Sequence, residues 1–268
     1  MTHPGRLVLL GHPVAHSLSP RFQNAALRAA GIPLVYELLD VAPAGLDAAL
    51  RTLKSQRAAG NVTIPHKEAM ARRCDRLTPL AARCAAVNVF WHEAGVLVGD
   101  NSDVGGADMV ARALLRGRHA GARVALLGAG GAAAAMLAAV EGWEGARAMV
   151  HNRHMPRAQQ LASRFAPFAR AADSVADALS GATLVVNATP LGLHDGDPFP
   201  LPVEQLPRGA AVLDLVYHPL ETSWVRAARE AGHWAADGRG MLVEQGAIAF
   251  QRWFGVEPDR NAMWTAMS

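Results

Sequence analysis

The chain has 268 residues, of which 51% are hydrophobic and 18% are charged, and its formal net charge is +3 at pH 7. This composition excludes global disorder, and the length is sufficient for two domains of ordinary size. The basic residues form no block, so nucleic acid is not expected as a partner. The two cysteines fit neither a disulfide framework nor a zinc-binding pattern, so we expect free thiols and no metal site.

The hydrophobic segments of the chain do not favour a membrane. The N-terminus lacks the basic segment and the long apolar stretch of a signal peptide. An uncharged run covers residues 124–140, but it contains three glycines and an alanine-rich second half, which suit a close-packed helix better than lipid contact. We therefore expect a cytoplasmic protein with no membrane contact.

Short apolar runs alternate with helical patterns through the first hundred residues. We predict strands over 7–10, 34–41 and 60–64, helices over 20–30 and 46–58, a helix after residue 65, and a hairpin of strands 86–90 and 95–99. Ser19 is predicted to be the N-cap of the first helix, with Pro20 at its first position. This alternation is typical of an α/β domain.

A second series of alternating elements begins after a helix predicted over 104–115. The pattern predicts strands over 123–127, 146–151, 184–187 and 211–215, and helices from the glycine turn to 139 and over 156–165, 220–231 and 241–254. This order is that of a dinucleotide-binding fold. The last helix is amphipathic and could return to the first domain.

A glycine-rich loop, Gly128-Ala129-Gly130-Gly131-Ala132-Ala133, joins a predicted strand to a predicted helix. Gly128 permits a tight turn there, and Gly130 leaves no side chain between the backbone and a pyrophosphate. The amides of the helix N-terminus then face the phosphates, where the helix dipole also favours negative charge. The loop therefore predicts a nicotinamide dinucleotide cofactor.

The end of the next strand indicates which dinucleotide is bound. An NAD-preferring site usually has Asp or Glu there, to accept hydrogen bonds from the adenosine ribose. This chain has Asn152, Arg153 and His154, with Arg157 one helical turn further on. Since guanidinium groups bind phosphate through paired, charge-assisted hydrogen bonds, these residues favour NADP(H).

Polar residues of the first hundred positions form an ordered set. Lys67 follows a predicted strand that ends near Thr63, and Asp103 precedes the helix at 104; each alone could be a solvated residue or a helix cap. Together with their neighbours they form four strings: HSLSP at 16–20, NVTIPHK at 61–67, AVN at 86–88 and GDNSD at 99–103. With the loop at 128–132, Asn-Arg at 152–153, Asn-Ala-Thr at 187–189 and DGRGMLVEQ at 237–245, this set closely resembles the shikimate dehydrogenase family over nearly the whole chain.

The resemblance implies an activity and a site. Members of that family reduce 3-dehydroshikimate to shikimate with NADPH, and the matching positions imply that Lys67 and Asp103 form the catalytic pair. The substrate residues implied are Ser17, Ser19 and Tyr217 for the carboxylate, and Thr63, Asn88 and Gln245 for the ring hydroxyls. The cofactor residues implied are Gly128, Ala129, Gly130, Gly131, Ala132, Asn152, Arg153, His154, Arg157, Thr189, Leu215 and Gly238.

The resemblance also implies the division of the chain. We expect two α/β domains: a substrate-binding domain over 1–103, completed by 240–268, and a Rossmann-like NADP-binding domain over 104–239. The last helix returns to the first domain in this arrangement. We expect a monomer or a homodimer.

The residue types suit the implied chemistry. Hydride addition to a ketone builds negative charge on oxygen, so a positioned cation with a transferable proton stabilises the transition state. Hydroxyl and amide side chains suit a polyol, since each buried hydroxyl of the substrate must find a partner.

Two other functions stay open from the sequence. A quinate/shikimate dehydrogenase, or a paralogue that uses another shikimate-like ring, would keep the same lysine and aspartate, although Arg153 and Arg157 count against a strictly NAD-linked quinate enzyme. A non-catalytic regulator that binds a dinucleotide is the alternative from another class. It would not need Lys67 and Asp103 together.

Overall fold

The computed structural model describes residues 3–194, 196–218 and 220–267. The chain divides into two compact units, one formed by residues up to 103 together with those from 243 onward, and the other by residues 104–242. Within the described residues, each unit is built on one six-stranded sheet.

The first unit alternates strands and helices from its start. Its elements are β1 (Leu7–Gly11), α1 (Ser19–Ala29), β2 (Tyr36–Asp40), α2 (Leu46–Ser55), β3 (Ala59–Val62), α3 (Lys67–Ala71), β4 (Arg76–Leu77), α4 (Pro79–Cys84), β5 (Val89–Glu93) and β6 (Val96–Asp100). The strand order in the sheet is β2-β1-β3-β5-β6-β4. All five residues of β1 are buried, and β1 pairs in parallel with β2 and with β3.

The direction of the strands in this sheet brings three polar loops to one edge. β5 is antiparallel both to β3 and to β6, so β6 runs parallel to β3 and therefore to β1. The carboxyl ends of β1, β3 and β6 then lie at the same edge of the sheet. The segments that leave these ends carry Ser17 and Ser19, then Thr63 and Lys67, and then Asp103.

The second unit begins with the helix that follows β6. Its elements are α5 (Asp103–Leu114), β7 (Arg123–Leu127), α6 (Gly131–Glu141), β8 (Arg147–His151), α7 (Met155–Arg164), β9 (Ala169–Ala171), α8 (Val175–Leu179), β10 (Leu184–Asn187), β11 (Ala211–Asp214), α9 (Ser223–Glu230) and β12 (Ala235–Ala236). Two further helices end the chain, α10 (Arg239–Phe254) and α11 (Arg260–Thr265).

The sheet of the second unit has the order β12-β11-β10-β7-β8-β9, and all of its neighbouring pairs are parallel. In chain order this is the doubly wound arrangement 3-2-1-4-5-6, whose order reverses between the first and fourth strands, here β7 and β10. Ligands of such sheets bind outside the carboxyl ends of these two strands. The predicted Rossmann-like fold is therefore confirmed, and the return of α10 to the first unit from residue 243 onward is confirmed as well.

Some local predictions were wrong. Ser19 is the first residue of α1 and not its N-cap, which is Leu18; the backbone N–H of Ser19 donates to Oγ of Ser17 at 3.2 Å. The second helix ends at Ser55 and not at 58, because Arg57 adopts a left-handed conformation with φ of 47°. The short elements β4, β9, β12 and α8 show no clear periodic pattern and were not predicted.

Both cysteines are free thiols, as predicted; Cys74 is half-buried and Cys84 is buried. Among the residues with described coordinates, no helix combines the length and the apolar character needed to cross a membrane. In the same residues, no group of three or more His, Cys, Asp or Glu side chains is arranged to hold a metal ion.

Candidate active site

Lys67 and Asp103 form an ion pair at the polar edge of the first sheet. Nζ of Lys67 donates to Oδ2 of Asp103 at 2.6 Å. Lys67 is the first residue of α3, and its carbonyl oxygen accepts from the backbone N–H of Val87 at 2.9 Å. The side chain of Asp103 is 7% exposed and that of Lys67 is 23% exposed. The lysine side chain is therefore partly exposed, while that of its partner is almost wholly buried.

Asn88 fixes the other oxygen of the Asp103 carboxylate. Its Nδ2 donates to Oδ1 of Asp103 at 2.7 Å and to Oγ of Ser102 at 3.0 Å. Its Oδ1 accepts from the backbone N–H of Ser102 at 2.7 Å, which defines the orientation of the amide. Because Asn88 occupies Oδ1 and Lys67 occupies Oδ2, the carboxylate can hold the ammonium group in one direction.

Gln245 brings α10 to the same place. Its Oε1 lies 3.4 Å from both Nδ2 of Asn88 and Oγ of Ser102, and the residue is buried. We call Lys67, Asn88, Ser102, Asp103 and Gln245 the polar cluster. Four of these five residues were predicted site residues; Ser102 was noted only as a part of the GDNSD string. The structure brings all five together.

The remaining predicted substrate residues lie at the start of α1 and in loops that follow β1, β3 and β11. Ser17 is half-buried, and Ser19 is buried with its N–H bonded to the Ser17 hydroxyl. Thr63 is half-buried after β3, and its backbone N–H donates to the carbonyl of Leu10 at 2.9 Å. Tyr217 is half-buried in the second unit, in the loop after β11. Among the described residues, no hydrogen bond joins Ser17, Ser19 or Thr63 to the polar cluster.

Sequence reasoning missed two residues beside the cluster. Asp100 is buried at the end of β6 and accepts from Nε of Arg252 at 2.9 Å. Arg252 lies on α10, seven residues after Gln245, so the two side chains share one face of the helix. The seven-residue spacing from Gln245 could have indicated that Arg252 lies on the same face of the helix. Nothing in the sequence indicated which residue of the first unit contacts Arg252.

The glycine loop of the second unit has the geometry that a pyrophosphate needs. Gly128 has φ of 112°, and a Cβ at this position would lie 2.6 Å from the carbonyl oxygen of Ala188, so only glycine fits. Gly130 is the N-cap of α6, and a Cβ there would meet nothing within 4 Å. Ala133 is buried in the first turn of the helix. The loop is thus closely packed behind Gly128 and open in front of Gly130, which fits a dinucleotide bound at the helix N-terminus.

The residues between β8 and α7 fit a phosphate. Arg153 and His154 are exposed after the end of β8, and Arg157 is exposed in the first turn of α7. Nδ2 of Asn152 donates to the carbonyl of His154 at 3.0 Å, which shapes the turn. In the part of the chain that the structure describes, no carboxylate pairs with Arg153 or Arg157. Both guanidinium groups are therefore available to an anionic ligand.

The other predicted cofactor residues follow neighbouring strands of the second sheet. The N–H and the hydroxyl of Thr189 donate to Oδ1 of Asn187 at 3.0 and 2.6 Å. A Cβ at Gly238 would lie 2.5 Å from the carbonyl oxygen of Leu215, so this close approach requires glycine. These residues lie after β10, β11 and β12, on the side of the sheet where the glycine loop follows β7.

Asp214 is a buried acid at the end of β11 that the sequence did not single out. Oδ1 accepts from Nδ2 of Asn187 at 2.8 Å and from the N–H of Val216 at 3.0 Å, and Oδ2 accepts from the Thr222 hydroxyl at 2.9 Å. Burial nevertheless raises the pKa of Asp214 from 3.8 to about 6, because the three hydrogen bonds only partly offset the loss of solvation.

The two units together define a class of protein. A doubly wound parallel sheet with a glycine loop binds a dinucleotide, and the first unit presents a lysine–aspartate pair among neutral amide and hydroxyl groups. These are the features of a two-domain, dinucleotide-dependent oxidoreductase.

Comparison with known proteins identifies the family. Residues 9–90 match the model of the shikimate dehydrogenase substrate binding domain, and residues 238–267 match that of the shikimate 5'-dehydrogenase C-terminal domain. The shikimate dehydrogenase (NADP(+)) of Rubrobacter xylanophilus is 43% identical over 97% of this chain and 94% of that protein. The chain belongs to the shikimate dehydrogenase family.

Solved structures agree with this assignment. The crystal structure of shikimate 5-dehydrogenase from Thermus thermophilus in complex with NADP(H) and shikimate matches with a TM-score of 0.86 and 38% identity, over 98% of each chain. Quinate dehydrogenase from Corynebacterium glutamicum in complex with NAD matches with a TM-score of 0.84 and 30% identity, over 97% of each chain. The fold is thus shared by proteins named for shikimate and for quinate.

Asp214 makes the stability of the protein depend on pH. Between about pH 4 and 6 the folded chain keeps a proton on Asp214 that the unfolded chain releases, so the free energy of unfolding falls as the pH rises through this window. The raised pKa corresponds to a fall of at most about 3 kcal/mol in the free energy of unfolding. Asp214→Asn removes the group that titrates. The free energy of unfolding of the variant, measured by urea unfolding and compared with that of the unmodified protein, should therefore increase from pH 4 to pH 7.

The matched control for this experiment is Gln159→Ala, which changes an exposed residue of the same unit that carries no ionisable group. Its difference in unfolding free energy from the unmodified protein should stay constant over the same pH range. A pH-independent difference for Asp214→Asn as well would contradict the raised pKa.

Proposed function

We propose that this chain catalyses the reversible, NADP-linked reduction of 3-dehydroshikimate to shikimate, a step in the biosynthesis of chorismate and the aromatic amino acids. The observation that carries the proposal is the Lys67–Asp103 pair, set among the amides of Asn88 and Gln245. The relatives named shikimate dehydrogenase (NADP(+)) support the choice of ring and cofactor. A cytoplasmic location and a monomeric or homodimeric state remain part of the proposal.

Lys67 is the proton donor in the proposed reduction. NADPH, when bound, supplies the hydride that forms the new C–H bond at the ketone carbon. As that bond forms, the electron pair of the C=O π bond moves onto oxygen, and the oxygen takes a proton from Nζ of Lys67. The ammonium charge stabilises the developing oxyanion, and acid catalysis of this kind contributes ~10²–10⁴ in rate. In the oxidation of shikimate the same nitrogen, in its neutral form, accepts the hydroxyl proton.

Asp103 orients the lysine. Because both of its oxygens are occupied within the polar cluster, its carboxylate holds the ammonium group without needing to rearrange during the reaction. Asn88, Gln245 and Thr63 are proposed to bind the ring hydroxyls. Ser17 and Ser19 are proposed to bind the carboxylate of the substrate, with Tyr217 beside them.

The residues of the second unit fit NADP(H). The amides of Gly130 and its neighbours are proposed to bind the pyrophosphate, while Arg153 and Arg157 bind the 2′-phosphate and Asn152 and His154 shape that pocket. The exposure of both arginines and the lack of a carboxylate partner among the described residues support this assignment. Thr189, Leu215 and Gly238 are the remaining proposed cofactor contacts.

The reaction is tested by an assay that follows nicotinamide absorbance with shikimate or quinate against NADP⁺ or NAD⁺. We expect dominant activity with shikimate and NADP⁺. A preference for quinate would show that the chain is a quinate dehydrogenase. A preference for NAD⁺ would contradict the inference of NADP(H) from Arg153 and Arg157. The absence of turnover in all four combinations would contradict an NADP-linked enzyme for either ring.

Lys67→Ala is expected to abolish turnover, with a loss of about 10²-fold or more, because the carbonyl oxygen then lacks both its proton donor and its stabilising charge. NADP⁺ binding, measured by titration, should stay close to that of the unmodified protein, since Lys67 lies in the first unit. Lys54→Ala, at an exposed position of α2, is the control and should keep full activity. Near-normal turnover of Lys67→Ala would show that Lys67 is not the proton donor.

Arg153→Ala is expected to weaken NADP⁺ binding by about tenfold or more, because a charge-assisted hydrogen bond to phosphate is lost. NAD⁺ binding should change by about twofold at most, since NAD⁺ has no 2′-phosphate. Titration of both dinucleotides measures the ratio directly. Arg170→Ala, at an exposed arginine of β9, serves as the control and should affect neither. Equal losses for the two dinucleotides would contradict the assignment of Arg153.

A further inference from the structure

The segment from Asp100 to Asp103 joins β6 to α5 and is the most buried polar part of the first unit. Its four side chains belong to Asp100, Asn101, Ser102 and Asp103, and all are buried. We propose that Arg252 is a positioning residue that, through Asp100, holds α10 so that Gln245 faces the substrate ring. This inference rests on the proposed function, because Gln245 is a proposed ligand of the ring hydroxyls.

The Asp100 carboxylate needs a cation. Its Oδ1 accepts from the Thr78 hydroxyl and from the N–H of Asn101, and its Oδ2 accepts from Nε of Arg252 at 2.9 Å. The side chain of Asp100 is 2% exposed, whereas that of Arg252 is 50% exposed. Within the described residues Arg252 is the one cation paired with Asp100. Because a buried carboxylate without a charged partner is strongly destabilising, this ion pair favours one position of Arg252 and of the last turn of α10 against the segment.

The same face of α10 carries Gln245 to the same segment. Seven residues make two turns of helix, so Gln245 and Arg252 point to one side. The contacts of Oε1 of Gln245 with Asn88 and Ser102 are 3.4 Å long. Hydrogen bonds of this length are weak. The charged contact of Arg252 adds a stronger constraint on the same face of the helix.

A second contact keeps α10 docked when Arg252 is changed. Nε2 of Gln23, on α1, donates to the carbonyl of Gly246 at 3.0 Å. A Cβ at Gly246 would lie 2.4 Å from Cε2 of Phe22, so α1 and α10 approach closely here. Loss of Arg252 is therefore expected to change the direction in which Gln245 points and to leave the fold intact.

The first test compares steady-state kinetics of Arg252→Gln with those of the unmodified enzyme. We expect the KM for shikimate to rise about tenfold, while kcat and the KM for NADP⁺ change by about twofold or less, because the lost contact serves substrate binding. Arg252→Lys keeps a charge within reach of Asp100 and should recover most of the loss. Asp100→Asn breaks the same link from the other end and should raise the KM for shikimate in the same way.

The second test asks whether Arg252 acts through Gln245. Gln245→Ala alone should raise the KM for shikimate, and adding Arg252→Gln to it should change that KM by about twofold or less, since residues that act through one contact are not additive. Arg260→Gln is the control. Arg260, on α11, pairs with Glu244 of α10 at 3.0 Å and with Glu257 at 2.7 Å. It contacts no residue from 100 to 103, so the KM for shikimate should stay unchanged in this variant.

Four results would overturn the inference: an unchanged KM for shikimate in Arg252→Gln, an equal rise in Arg260→Gln, full additivity with Gln245→Ala, or no effect of Gln245→Ala alone. These results are interpreted for an unmodified enzyme that reduces NADP⁺ in the presence of shikimate. An unmodified enzyme without shikimate-dependent turnover would instead contradict the proposed function itself, and the positioning role with it.

Discussion

The structure of the candidate site depends on the burial of one carboxylate. Asp103 is almost wholly removed from solvent, and such a charge is tolerated only when hydrogen bonds and an opposite charge replace its hydration. Lys67 and Asn88 supply these, and Asn88 is held in turn by Ser102. The requirement to satisfy Asp103 therefore organises the ends of β3 and β6 and the start of β5, which are distant in sequence and adjacent in the sheet. In the proposed mechanism, Lys67 therefore acts from a position that the fold already determines.

The second unit follows a different physical rule. Its sheet is parallel throughout, so the carboxyl ends of all strands lie on one side, and the glycine loop occupies the position where the strand order reverses. Backbone geometry dominates here: Gly128 and Gly238 are required because a neighbouring carbonyl lies where a Cβ would stand. The polar cluster, by contrast, depends on the identity of side chains. The glycine loop thus depends on backbone geometry, and the polar cluster depends on side-chain chemistry.

The sequence predicted much of this arrangement because local patterns were strong where strands are buried. The strands β7 and β10 were predicted with their observed bounds, since apolar runs with clear ends mark both. Ser19 was misplaced as a cap because a serine before a proline favours a helix start without specifying which residue begins it. Asp100 and Arg252 were missed for another reason: they are 152 positions apart, and only the packing of α10 brings them together. The roles of the site residues remain proposals that such packing supports.

The exposed arginines after β8 carry a consequence for how the protein can change. Arg153 and Arg157 lie on the surface without carboxylate partners among the described residues, so replacing them disturbs no core and no ion pair. Surface substitutions of this kind change the free energy of unfolding by about 0.5 kcal/mol or less. The residues around Asp103 have no such freedom, because Asn88, Ser102 and Gln245 are buried and contact one another. On the proposed assignment of these residues, a lineage of such chains can exchange one dinucleotide for the other through single, tolerated steps, whereas a new ring requires changes among the buried residues of the polar cluster.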